Sequence, residues 1–138
     1  MKFNLVIALT ILVIGVACAQ SVNHKLNGIW YVVSKTETLT EEDTVIDIDE
    51  DIYERGEKIY HIEGNTLTII EGAGKHKMEL PIKVSDEQLY LGKIERKKEP
   101  YHITLKDNEL ILTKIKIKGG NQRLTEVVTL EKQADSTP

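Results

Sequence analysis

The sequence predicts an all-β fold, a single antiparallel up-and-down β-barrel of about eight strands that follows an N-terminal signal peptide. Short segments rich in apolar and β-branched residues recur along the chain, and turn residues separate them. No window keeps a helical period, since Gly or Pro interrupts most candidates. Several segments alternate apolar and polar residues, which is typical of strands that bury one face.

The first element is a leader. Lys2 precedes an apolar run over residues 3–16, and the run ends in the small residues Ala17-Cys18-Ala19. This pattern predicts a signal peptide over residues 1–19 and a secreted, extracellular protein. The run is shorter than the roughly 20 apolar residues of a membrane-spanning helix, so no membrane span is predicted. Lipidation of Cys18 is the alternative, and it would make the chain a bacterial envelope lipoprotein.

Residues 20–138 are predicted to form one small domain. Without Lys2, that part of the chain carries 17 basic against 22 acidic residues, a formal net charge of −5. Nucleic-acid partners are therefore not expected, because they require a clustered basic face. The single cysteine lies in the leader, so the domain depends on its apolar core and its strand hydrogen bonds. A monomer is expected.

The strands follow in order after the leader. A polar stretch from Glu37 to Glu57 separates the first two, with a weaker strand predicted at Thr44–Asp49 inside it. Residues 133–138 are predicted to form a frayed tail. The firm strands are Gly28–Thr36, Lys58–Glu63, Thr66–Glu71, His76–Val84, Gln88–Glu95, Tyr101–Lys106, Glu109–Lys118 and Gln122–Lys132.

Alternation indicates which faces are buried. Ile115 and Ile117 share one face of their strand, and lysines occupy the other. A sheet with one apolar and one charged face must bury the apolar one, so we expect these isoleucines inside. A meander of this length buries such a face by curling closed, which also removes exposed edges. Eight strands leave an interior that holds side chains or one small ligand.

Gly28-Ile29-Trp30 opens the first strand, and Arg123 begins the last. On these features the chain resembles the lipocalin-like or calycin superfamily over residues 26–132. The resemblance implies that Trp30 closes the barrel floor and that Arg123 packs across its indole by a cation–π contact. The chain departs from lipocalins in three respects: it lacks a Thr-Asp-Tyr block, a C-terminal helix and a disulfide.

The resemblance further implies a carrier for a small hydrophobic or amphipathic ligand, with no chemistry performed on it. If Trp30 points inward, Val32 and Ser34 share its face, because strand side chains alternate. Tyrosines within predicted strands could present hydroxyl groups to a ligand. The candidate binding residues are Trp30, Val32, Ser34, Tyr60, Tyr90 and Tyr101.

The acidic segment over residues 41–57 has two interpretations. In a lipocalin-like arrangement it forms the first long connection across the barrel mouth, where it could attract a cationic amine. The alternative is a solvated loop whose charges keep the protein soluble. Asp47, Asp49 and Asp51 begin like a calcium-binding EF-hand loop. Ile52 then replaces the required glycine, and the required glutamate is also absent, so no calcium site is predicted.

No enzyme, cofactor or metal site is predicted. The serines lie in no nucleophile-elbow motif, and the four histidines have no nearby partner at a metal-ligand spacing. The sequence also supports a second candidate function besides that of a ligand carrier. The barrel could be filled by its own side chains and act as a secreted interaction or inhibitory module through loops such as Glu37–Glu57 or Arg96–Pro100.

Overall fold

The computed structural model of the chain describes residues 25–92 and 99–134. The predicted signal peptide over residues 1–19, with Cys18, lies outside these residues. The same holds for the tail beyond residue 134 and for the loop alternative over most of Arg96–Pro100.

Nine antiparallel strands form in the described part of the chain. Their bounds match the predicted ones at four strands, β3, β4, β7 and β9. The strands are β1 Gly28–Glu41, β2 Thr44–Ile52, β3 Lys58–Glu63, β4 Thr66–Glu71, β5 His76–Ser85, β6 Gln88–Leu91, β7 Tyr101–Lys106, β8 Glu109–Gly119 and β9 Gln122–Lys132.

Eight of these strands close into a barrel. Each of β3 to β8 pairs with the next strand along the chain, and β1 pairs with both β3 and β9, which closes the ring. The predicted fold class is therefore confirmed. The alternating inner residues meet at the axis in one apolar core. Seven of the nine core side chains that are at most 2% exposed form what we call the barrel base: Leu26, Trp30, Val32, Leu67, Leu110, Leu112 and Leu130.

The acidic segment is not the long connection over the mouth that the sequence suggested. Residues Thr44–Ile52 form strand β2, which pairs with Ser34–Glu41 of β1. Strand β3 pairs with Gly28–Tyr31 on the same side of β1. The segment can form a strand although acidic residues are poor strand formers, because valine and isoleucine alternate with its carboxylates.

Strands β1, β8 and β9 run on beyond the barrel, and β2 joins them there. We call this four-stranded region, residues 34–52 and 113–128, the sheet extension. The expectation that Ile115 and Ile117 lie inside is wrong, since their side chains are 49% and 78% exposed. Leu112 faces the barrel interior, so strand alternation places Lys114 and not Ile115 on the inner face.

Candidate functional site

Trp30 forms part of the barrel floor. Its side chain is fully buried, and its indole Nε1 donates a hydrogen bond to the Leu26 carbonyl oxygen at 2.8 Å. The Lys132 ammonium lies 5.6 Å from the ring centroid. Gly28, at φ +137°, leaves room for this lysine, because a β-carbon there would lie 3.2 Å from Lys132 Cε. The barrel base is thus closely packed around Trp30, and Lys132 adds a cation–π contact to it.

The predicted pairing of Arg123 with Trp30 is wrong. Arg123 is exposed and lies opposite Thr40 and Ile117 near the tip of the sheet extension. Trp30 pairs instead with Lys132, which is nine residues further along β9, or about 30 Å in an extended strand. A basic residue from the last strand does lie over the indole, but it is not the predicted one. It comes from the end of the strand and not from its start.

A β-bulge changes which residues of β1 face inward. Val32 is buried and pairs with Leu130, but the register shifts between Val32 and Ser34. Ser34 therefore lies opposite Thr129 on the outer face, and the prediction that it shares the face of Trp30 is wrong. The bulge brings Lys35 to the inner face, opposite Val128.

The three predicted tyrosines are divided between the two faces of the wall. Tyr60 and Tyr101 point into the barrel and are 9% and 8% exposed. Tyr90 lies on the outer face, where its hydroxyl donates to Gln88 Oε1 at 2.9 Å. Leu89 and Leu91 occupy the inner positions of that strand. The structure therefore brings Tyr60 and Tyr101 to the interior and leaves Tyr90 outside.

A polar cluster on the inner wall was not predicted from the sequence. The Glu126 carboxylate accepts a hydrogen bond from the Tyr101 hydroxyl at 2.8 Å. It also lies 3.5 Å from Lys114 Nζ and 3.7 Å from Lys35 Nζ. Lys114 Nζ is 4.4 Å from the centroid of the Tyr101 ring. We call these four residues, Lys35, Tyr101, Lys114 and Glu126, the Glu126 network. The Glu126 and Lys114 side chains are only 12% and 13% exposed.

Partial burial and charge both act on the acid–base behaviour of this network. Burial raises the pKa of Glu126, but the Tyr101 hydrogen bond and the two lysine charges outweigh it, so the pKa lies below its ordinary value. Burial lowers the pKa of Lys114, although Glu126 opposes the effect. Burial and the nearby carboxylate raise the pKa of Tyr101, so its hydroxyl stays a donor at neutral pH.

The exposed fraction of the side chains rises along a row of apolar inner residues that begins at Trp30. Trp30 lies opposite Tyr60, Tyr60 opposite Ile69, and Ile69 opposite Met78. Trp30 is fully buried, Tyr60 is 9% exposed and Met78 is 52% exposed. Barrel strands tilt against the axis, so a row of paired residues climbs from the floor to the mouth. The apolar inner wall thus opens to solvent beside Met78.

Two rows of residues thus line the inner face of the barrel wall. One row is apolar, and the other runs from Glu126 through Lys114 and Tyr101 to buried Leu89. We call this part of the inner wall, lined by Tyr60, Ile69, Met78 and the Glu126 network, the cup. It offers apolar surface on one side and a charged, hydrogen-bonding group on the other. Such a wall suits noncovalent binding of an amphipathic molecule.

Other chemical possibilities find little support in the described residues. Within residues 25–92 and 99–134 there is no group of three or more His, Cys, Asp or Glu side chains that could hold a metal ion. Over the same residues no helix is long and apolar enough to cross a membrane.

The sequence matches no protein-family model and has no significant match among curated proteins. What the structure shows of the fold is therefore the β-barrel itself.

Proposed function

We propose that this chain is a secreted, lipocalin-like binding protein that holds a small amphipathic molecule in the cup and performs no chemistry on it. The observation that carries the proposal is the contrast along the barrel axis. The base is filled, whereas the cup combines exposed apolar surface at Met78 with the mostly buried Glu126 network. Burial of apolar ligand surface would supply the affinity, at about 25 cal/mol per Å².

The filled base limits how deep a ligand can reach. Trp30, Leu67, Leu110 and Leu130 each have 0% exposure, so no space the size of a water molecule adjoins them. A ligand would therefore rest on Tyr60 and Tyr101 and leave the tryptophan untouched. Trp30 belongs to the scaffold under this proposal, and the two tyrosines belong to the binding surface.

The charge on the inner face favours a cationic head group. Lys114 lies 3.5 Å from Glu126, and Lys35 lies 3.1 Å from Glu37 and 3.7 Å from Glu126, so the charges of the two lysines and the two glutamates cancel. Asp47, Asp49 and Asp51 of β2 lie on the same face, because they pair with the inner positions of β1. The excess of carboxylates beside the cup would raise the local concentration of a cation. We therefore propose an amphipathic amine as the ligand class.

Native mass spectrometry and calorimetry with dodecylamine and laurate, both below their micelle concentrations, test this proposal. We expect one dodecylamine per chain and an affinity roughly tenfold above that for laurate at low salt, with the preference shrinking as salt rises. No saturable binding, or equal affinity at every salt concentration, would contradict it.

Two tyrosine variants locate the site. Tyr101→Phe removes the hydroxyl that holds Glu126, whereas Tyr90→Phe removes one on the outer face. We expect the first to weaken dodecylamine binding by about three- to tenfold, because one hydrogen bond to a charged group is lost. The second should leave the affinity unchanged. Equal effects of the two changes would place the ligand elsewhere.

An interaction module is the second candidate function, and a different observation favours it. Nine large apolar side chains are exposed among the described residues, and six of them lie in the sheet extension. They are Val45, Ile46, Ile48, Ile52, Ile115 and Ile117. Concentrated exposed apolar residues mark interaction surfaces more often than chance scatter does. Under this candidate, the working surface would be the extension, which contains most of the predicted segment Glu37–Glu57 as strand and not as loop.

A further inference from the structure

The sheet extension has two edges at which no strand lies alongside, within residues 25–92 and 99–134. Strand β2 has β1 as its only neighbour in the sheet order. Strand β8 pairs with β7 only from Glu109 to Thr113, so its residues Lys114–Gly119 run past the end of β7. Such edges present backbone groups that can pair with another strand.

The two edges carry opposite charges. Asp47, Asp49 and Asp51 alternate along β2. Lys114, Lys116 and Lys118 alternate along the free part of β8. Register places Asp49, Asp51, Lys114 and Lys116 on the same inner face of the sheet. Each edge is therefore a row of like charges with a two-residue spacing, and one row complements the other.

We propose that copies of this chain associate head to tail, with the acidic edge β2 of one copy pairing with the basic edge of β8 in the next. The strand directions permit it. β1 is antiparallel to β2 and to β9, and β9 is antiparallel to β8, so β2 and β8 run in opposite directions. A copy placed beside the first in the same orientation adds β2 to β8 as an ordinary antiparallel neighbour.

One register of β2 against β8 gives complementary contacts on both faces of the joined sheet. Placing Asp49 opposite Lys116 forms an ion pair on the inner face, and Asp51 then lies opposite Lys114, whose ammonium group already contacts Glu126. The same register places Ile48 opposite Ile117 on the outer face, where these residues are 59% and 78% exposed. Cross-strand ion pairs and apolar pairs each stabilise a sheet.

Charge also excludes the symmetric alternatives. Pairing β2 with β2 of another copy would align aspartates, and pairing β8 with β8 would align lysines. Like charges directly opposite each other destabilise a sheet. The head-to-tail contact joins two different surfaces, so it leaves one free edge of each sign at the ends of every assembly. Assembly would therefore extend with concentration and weaken with salt.

Sedimentation velocity on charge-reversed variants tests the proposal. Asp47→Lys/Asp49→Lys makes both edges basic, and Lys116→Glu/Lys118→Glu makes both edges acidic. We expect the unchanged chain to self-associate at low salt, and each variant alone to do so at least about tenfold more weakly. An equal mixture of the two variants should recover association, because their edges are complementary.

The matched control is Lys77→Glu/Lys83→Glu, which changes the net charge in the same direction and by the same amount as Lys116→Glu/Lys118→Glu does. Lys77 and Lys83 are exposed on β5, away from the extension. We expect this control to associate like the unchanged chain. Three results would each overturn the proposal: an unchanged chain that stays monomeric at low salt, a control as weak as the edge variants, or a mixture no stronger than its components.

Discussion

The barrel base and the sheet extension use the same three strands, β1, β8 and β9, yet they bury opposite kinds of surface. In the base, Leu110, Leu112 and Leu130 face inward and are at most 1% exposed. In the extension, the inner face carries Lys114 and Glu126, and the isoleucines face solvent. Along β8 the inner residue changes from Leu112 to Lys114. Thr113, between them, is the last β8 residue that pairs with β7.

The contrast shows that ring closure, and not alternation alone, decides which face of a strand is buried. An alternating pattern defines two faces but does not say which one meets another layer. Closure supplies that layer in the base. In the extension the sheet is open, and the apolar face has no layer against it among the described residues.

The largest expected effect compares equivalent truncations in the two regions. Leu110→Ala should reduce the free energy of unfolding by about 2–5 kcal/mol, because it opens a cavity in a filled core. Ile117→Ala, at a side chain that is 78% exposed, should change it by less than about 0.5 kcal/mol. Urea denaturation of both variants measures the difference. Similar losses would mean that the extension is packed in solution.

A smaller effect is expected where the two regions join, at the Glu126 network. Glu126→Gln keeps an acceptor for Tyr101 but leaves Lys114 without its carboxylate, whereas Lys35 keeps Glu37 at 3.1 Å. We expect a loss of about 1–2 kcal/mol at pH 7. Glu79→Gln, at an exposed carboxylate on β5, is the matched control and should have almost no effect.

The pH dependence of that loss follows from the sign of the pKa shift. The folded-state pKa of Glu126 lies below its ordinary value of 4.5. Its stabilising contribution is therefore complete above the unfolded pKa and disappears as pH falls through the folded pKa. The stability curves of the unchanged chain and of Glu126→Gln should converge below pH 4.5 in acid denaturation. A difference that persists at pH 2 would mean that the loss has another origin.

Much of the barrel could be predicted from the sequence because local signals set it. Turn pairs such as Gly64-Asn65 and Asp107-Asn108 fix where strands end, and four strands have the predicted bounds. Tyr101 and Ile103 alternate with the polar residues His102 and Thr104 in the sequence, and both are buried. These signals depend only on residues that are close in the sequence, so they can be recognised before the pairing of distant strands is known.

The cup could be predicted only in part, because its polar residues depend on register between distant strands. The bulge after Val32 exchanges Ser34 for Lys35 on the inner face, and no residue type marks that position in the sequence. Glu126 meets Tyr101 and Lys114 only after β7, β8 and β9 align. Lys132 could have been considered beside Arg123 for the contact with Trp30, since both lie in the final strand.

The most direct test of a filled base beneath an open cup is a dodecylamine titration followed by ¹H–¹⁵N NMR. The chain has one tryptophan, so its indole N–H gives a single signal from the base. We predict that this signal stays in place while the backbone amides of Tyr60, Tyr101 and Glu126 shift with one common affinity. A shift of the indole signal with unmoved cup amides would show that the ligand enters the base and would contradict this account.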